Sequence, residues 1–111
     1  MDFAIQHEND TAVIKVNAQK LNAANAPDLK SELVLLNKNN VNNIVISMSK
    51  CKYCDSSGLS AVLVANRMCK DTNGKFILCG LQPNVEKLIQ IAQLDRVLSI
   101  TSNEKEALEL I

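Results

Sequence analysis

An α/β domain built on a mixed, mainly parallel sheet is what this sequence predicts, and three observations predict it. Short apolar runs such as Ile44-Val45-Ile46-Ser47-Met48 and Lys75-Phe76-Ile77-Leu78-Cys79-Gly80 have the composition of strands buried on both faces. Between such runs lie longer stretches with apolar residues at helical spacing, as at Leu29, Leu33 and Leu36. Clusters of Asn, Asp and Gly separate the two kinds of segment. Strands that alternate with helices pair in parallel through helical crossovers, and an opening hairpin adds an antiparallel strand. The 111 residues suit a single domain over 1–111, and 47% hydrophobic with 22% charged residues is the balance of a packed chain rather than a disordered one.

The elements follow in order. Residues 1–7 and Thr11 to Val16 are strand candidates, joined as a hairpin through the polar turn Glu8-Asn9-Asp10. Pro27 suits the first turn of a helix, where its missing N–H costs nothing, and the Leu29, Leu33, Leu36 stripe continues that helix until the Asn-rich stretch 37–43 breaks it. A buried strand at Ile44 to Met48 leads through the loop 49–58 into a second helix, Ser57 to Cys69. Asp71-Thr72-Asn73-Gly74 ends it, with Asn or Gly supplying a left-handed cap. After the strand 75–80, Pro83 to Gln93 reads as a helix with Val85, Leu88, Ile89 and Ala92 on one stripe. Val97 to Ile100 is a last strand. Thr101-x-x-Glu104 has the form of a capping box for a final helix bearing Ala107, Leu108 and Ile111. About four helices therefore pack on the sheet.

Charge and composition exclude several functions. Twelve Lys plus Arg balance twelve Asp plus Glu, so no basic excess is available to hold a phosphate backbone, and nucleic-acid binding is not expected. Aromatics are 3% with no Trp, which leaves no platform for stacked bases or sugars. No apolar run approaches the ~20 residues of a membrane span. The first residues lack the basic start and apolar core of a signal peptide, so a soluble, cytoplasmic protein is expected. Cys51 and Cys54 form a C-x-x-C pair, but Cys69 and Cys79 are not spaced as a second pair and His7 is the only histidine. The expectation is buried thiols in a reducing compartment, with no metal and no cofactor.

In such folds sites lie beyond the carboxyl ends of strands, in the loops that feed helices. The loop to inspect is Ser49 to Gly58. Asp55, Ser56 and Ser57 all suit an N-cap, and capping alone would account for them. A serine nucleophile fits poorly: a nucleophile elbow wants Gly two residues before the Ser, and the only His stands far back in the chain. A serine that is itself a substrate fits better. A phosphate on Ser56 would lie at a helix N-terminus, where free N–H groups and the dipole favour negative charge. The two charges it adds beside Asp55 would oppose an acidic or apolar partner. Leu59, Val62, Leu63 and Ala65 are expected to face the sheet. Ser57, Ser60, Val64, Arg67 and Asp71 fall on the other side, continuous with Ser56, and suit a docking face.

At this loop the sequence resembles a known family. Ile44-Val45-Ile46-Ser47-Met48-Ser49 followed by Asp55-Ser56-Ser57-Gly58-Leu59 is similar to the signature of STAS domains, specifically the single-domain anti-sigma-factor antagonists. That signature is an apolar strand, Asp-Leu-Ser, a few residues, then Asp-Ser-Ser-Gly-Leu. The resemblance runs through nearly the whole chain. Asn73-Gly74-Lys75 looks like the family's glycine turn, and Gly80-Leu81-Gln82-Pro83-Asn84-Val85 like its third helix start. Leu94-Asp95-Arg96-Val97 resembles its "G-L-D-x-V" step with Gln93 where Gly is usual, and Asn103 to Leu108 resembles its closing "S-E-x-E-A-L".

The resemblance implies a STAS-type fold and a partner switch. In the family the unphosphorylated antagonist binds an anti-sigma factor that is also a GHKL-type serine kinase, and a sigma factor is released. The kinase phosphorylates the first serine of the pair, which corresponds to Ser56, and a PP2C-type phosphatase reverses it. The antagonist is not an enzyme. The partner-binding residues implied here are Asp55, Ser56, Ser57, Ser60, Val64, Arg67 and Asn22. Three departures stand out: Gln19-Lys20-Leu21-Asn22 replaces the family's Gly-Glu-Leu-Asp, Met48 falls where it has an acid, and Cys51-Lys52-Tyr53-Cys54 fills the approach to the motif. A second reading is a STAS interaction subunit of a lipid-transport or sensory assembly without phosphorylation. A third is a nucleotide- or small-ligand-binding module using the same loop.

Overall fold

The opening hairpin forms between β1 (Phe3–Glu8) and β2 (Thr11–Val16), with Glu8 opposite Thr11 and a two-residue turn between them. Asn9 takes the left-handed conformation such a turn needs (φ 56°), which Asn tolerates better than most residues. The structure, a computed structural model, describes residues 2–111. The expected first strand began at residue 1, which lies outside them.

The remaining elements are β3 (Lys20–Leu21), α1 (Ala26–Lys38), β4 (Asn43–Ser47), β5 (Tyr53–Cys54), α2 (Ser56–Asp71), β6 (Phe76–Cys79), α3 (Pro83–Ile91), a 3₁₀ turn at Leu94–Arg96, β7 (Ser99–Thr101) and α4 (Glu104–Glu109). Five strands make one sheet in the order β1-β2-β4-β6-β7, with β1 antiparallel to β2 and the other pairings parallel. This is the mixed sheet expected. The strand pleat divides the core in two. Ala12, Ile14, Ile44, Ile46, Phe76 and Leu78 meet α1, α2 and α3 on one face. Val13, Val45, Ile77 and Cys79 meet α4 on the other. Two-sided burial is why these strands read as continuous apolar runs.

Several boundaries differ from expectation, each for a local reason. Helix α2 begins at Ser56, one residue earlier than expected, and ends past Cys69 at Asp71; Asn73 at φ 60° is the left-handed residue after it. Helix α3 stops at Ile91, and Gln93 turns to φ 59°, so Ala92 is exposed rather than on the buried stripe. That left-handed backbone is what makes glycine usual at this position. Leu94–Arg96 then wind into the 3₁₀ turn, with Val97 N–H and Leu98 N–H both donating to Leu94 O, so the last strand starts two residues later than expected. The final helix cap also shifts by two, and the reciprocal bond differs from a capping box, since Glu106 Oε1 accepts from Ser102 N–H (3.4 Å) rather than from the cap residue. Asn103 is the cap, with its Oδ1 accepting from Glu106 N–H (2.9 Å), while Thr101 ends β7.

Candidate functional site

The carboxyl ends of β2, β4 and β6 lie at one end of the sheet, and so do the starts of α1 and α2. Between β4 and α2 the chain is fastened to the segment after β2. Gln19 O accepts from Lys52 N–H (2.8 Å) and Tyr53 N–H (3.1 Å). Next, β3 pairs in parallel with β5, Lys20 against Tyr53 and Leu21 against Cys54, and Asp55 N–H donates to Leu21 O (3.2 Å). Buried Asn25 braces β3 from the far side: its Nδ2 donates to Lys20 O (2.8 Å) and its Oδ1 accepts from Asn22 N–H (2.9 Å). Thus the Gln19-Lys20-Leu21-Asn22 segment, which departs from the family pattern, serves here as the backbone template for the loop that carries the motif.

Asp55 is the residue that caps α2. It is extended (φ −107°, ψ −171°), and its Oδ1 accepts from Gly58 N–H at 3.0 Å. Asp55 therefore supplies the side-chain cap, and neither serine does. Ser56, the first helical residue, is exposed, and its hydroxyl makes no hydrogen bond to the described residues, whereas Ser57 is half-buried. Gly58 is buried because α2 presses on the small sheet. A Cβ there would stand 2.6 Å from both Leu21 O and Cys54 Sγ.

Helix α2 turns Gly58, Ala61, Val62, Ala65, Asn66 and Cys69 toward the core. Leu59 and Leu63, expected beneath the helix, are half-buried on its flank instead. The small residues Gly58, Ala61 and Ala65 bring the helix too close to the sheet to leave room for leucines there. Ser56, Leu59, Ser60, Leu63, Val64 and Arg67 recur at three- and four-residue spacing and line one open groove, closed on its far side by Leu94. The expected docking face is thus more apolar than the sequence alone suggested. Arg67 is exposed at its rim and forms no ion pair among the described residues, where the one salt bridge joins Lys15 to Glu104 at 3.9 Å. Asn22 and Asp55 share a neighbouring cleft with Tyr53, and Asn22 Oδ1 is occupied by Ala24 N–H (2.9 Å). Ser57 lines neither.

Sequence reasoning missed Lys30. From α1 its Nζ donates to Ser60 Oγ at 3.2 Å, so a cation spans the two helices one turn beyond Ser56. Its position off the leucine stripe of α1 was legible, but not the neighbour it would meet. His7 pairs with Ala12 at the opposite end of the sheet, so it supplies no base to Ser56.

The thiols of Cys51, Cys69 and Cys79 are buried, Cys54 is half-buried, and all four are free. Burial pushes Cys54 up to about 12 and Cys69 up to about 11, and raises Cys51 and Cys79 as well. A raised thiol is a poor nucleophile and metal ligand at neutral pH. Among the described residues no group of three His, Cys, Asp or Glu side chains is arranged to hold a metal ion. The raised values also set a pH dependence. In the unfolded chain these thiols ionise near 9.0, while the folded state keeps its protons to higher pH. Above pH 9 the folded state binds more protons than the unfolded one, so stability falls as pH rises. Chemical denaturation between pH 8 and 10.5 is expected to show this loss, with a shallower slope in Cys69→Ala; an equal slope in both proteins counts against it.

The STAS domain family model matches residues 2–107. A Bordetella bronchiseptica protein named as a candidate anti-sigma factor antagonist, BtrV, is 28% identical over 87 residues, which span 78% of this chain and 74% of that protein. The crystal structure of a candidate anti-sigma factor antagonist from Thermotoga maritima superposes with a TM-score of 0.88 at 24% identity, covering 98% of this chain and 93% of that one. The Bacillus cell-fate determinant SpoIIAA in its phosphorylated form superposes with a TM-score of 0.76 at 21% identity, covering 96% of each. At these identities the two structures establish the shared fold. Among the described residues no helix is long and apolar enough to cross a membrane.

Proposed function

The chain belongs to the STAS domain family, and on that premise we propose that it is a cytoplasmic anti-sigma-factor antagonist switched by phosphorylation of Ser56. In this reading the unphosphorylated protein docks an anti-sigma factor with GHKL-type serine kinase activity against the α2 groove, and a sigma factor is released. The kinase transfers the γ-phosphoryl group of ATP to Ser56 Oγ. The hydroxyl proton is lost, ADP leaves, and the complex separates. A PP2C-type phosphatase hydrolyses the ester and resets the switch. The protein itself binds and is modified; it does not catalyse.

One observation carries the proposal. Asp55 supplies the side-chain cap of α2, and the Ser56 hydroxyl is exposed, without a hydrogen bond to the described residues, on the lining of a largely apolar groove. A serine held there as a cap would be bonded to the backbone; this one is left for another molecule. That favours the switched antagonist over a STAS subunit that serves only as scaffold. The contact surface proposed is Ser56, Ser60, Val64 and Arg67, with Asp55, Ser57 and Asn22 beside it.

Incubation with the cognate anti-sigma factor kinase and ATP, followed by site mapping by mass spectrometry, tests the reading. Phosphate on Ser56 is expected. Phosphate on Ser57, or none, overturns it.

A further inference from the structure

We propose that Lys30 is the intramolecular receiver of a phosphate on Ser56, holding it across α1 and α2 over the docking groove. The inference rests on Ser56 being the modified residue. It adds a positioning residue on another helix, which nothing in the motif itself identifies.

The geometry is specific to this pair of helices. Ser56 and Ser60 stand one turn apart on the same stripe of α2 and line the same groove. Lys30 Nζ already reaches Ser60 Oγ at 3.2 Å, and Lys30 is half-buried, so its stem lies along the helix pair rather than in solvent. Both helices follow parallel strands of one sheet and start at the same end of it. Lysine side chains on a helix lean toward its N-terminus, which is the direction of Ser56. The Ser60 hydroxyl is a weak partner for an ammonium group. A phosphate one turn away offers three strong acceptor oxygens and close to two negative charges. The exchange keeps the ammonium between the helices and gives it a stronger partner. The phosphate is then fixed on the groove instead of swinging out from the first turn.

The test installs phosphoserine at position 56 during synthesis, so it needs no kinase and is independent of whether any kinase acts there. The second ionisation of the phosphate is followed by ³¹P NMR. A nearby ammonium favours the dianion, so Lys30→Gln is expected to raise the midpoint by about 0.5 unit, the size of an exposed charge pair. Lys30→Arg should restore most of the shift, and added salt should shrink it. Lys105→Gln, on the helix packed against the opposite face, should change nothing. A midpoint unmoved by Lys30→Gln, or moved equally by Lys105→Gln, overturns the proposal. If the kinase experiment fails while this midpoint moves, the switch reading falls and the Lys30 contact stands.

Discussion

Ser56→Asp is expected to abolish binding to the anti-sigma factor while leaving the monomer folded. The two effects separate because Ser56 is exposed at the first position of α2 and its hydroxyl makes no hydrogen bond to the described residues. In the free protein a carboxylate there meets the positive end of the helix dipole, which favours it by about 0.3–1 kcal/mol. In the complex the same charge lies against the groove of Leu59, Leu63 and Val64 and loses its water. An ion desolvated without a dedicated partner costs several kcal/mol, and pairing with Lys30 does not remove that cost because the pair must be desolvated together. Each ~1.4 kcal/mol is tenfold in affinity, so micromolar binding would weaken at least 100-fold, to about 100 micromolar or beyond. Ser56→Ala removes one unengaged hydroxyl and should bind as the unmodified protein does, without responding to the kinase. Calorimetric titration of both variants, with melts of the free proteins, decides the matter. Wild-type affinity in Ser56→Asp, or loss of binding that tracks loss of folding, sinks the electrostatic account.

Gly58→Ala is expected to cost about 2 kcal/mol of stability, although alanine is the better helix former by roughly 1 kcal/mol. The methyl group would arrive 2.6 Å from Leu21 O and from Cys54 Sγ. Neither retreats freely. Leu21 belongs to β3, which is held by β5 on one side and by the Asn25 amide on the other. The first turn of α2 must therefore move, and Ser56 with it. For a domain of this size the melting temperature should fall by roughly 8 °C. Ser60→Ala, on the exposed side of the same helix, should stay within about 0.5 kcal/mol of wild type. A Gly58→Ala protein that melts at or above the wild-type temperature would falsify the packing argument.

The pairing of the two outcomes bears on the motif itself. In Asp55-Ser56-Ser57-Gly58 the acid supplies the cap, the first serine is left free, and the glycine permits the close approach that fixes the helix start. Sequence reasoning recognised the motif but treated the acid and both serines as equivalent caps. All three can accept the same bond, and composition does not say which one does.

What the sequence determined by itself is what patterns with a period record. The buried strands β4 and β6 are apolar throughout because helices cover both faces of the sheet. The Leu29, Leu33, Leu36 stripe names the inner face of α1, and all three side chains are buried. The asparagines and glycines between elements sit where the backbone turns, with Asn9 and Asn73 in the left-handed region. From these came the strand order in the chain, the mixed sheet and the loop to inspect. The tertiary structure decided what depends on residues distant in sequence. The β3–β5 pair is two residues long on each side and has no period to detect; it exists because Gln19 O and Leu21 O lie opposite the backbone N–H groups of Lys52, Tyr53 and Asp55. The placement of Leu59 and Leu63 on the half-buried flank follows from how near α2 comes to the neighbouring strands, a distance set by Gly58, Ala61 and Ala65 packing inward. The contact of Lys30 with Ser60 joins residues 30 positions apart on different helices. Local patterns specify which face of an element is apolar, but only packing against neighbours fixes how closely two elements approach and which side chains then meet across the gap.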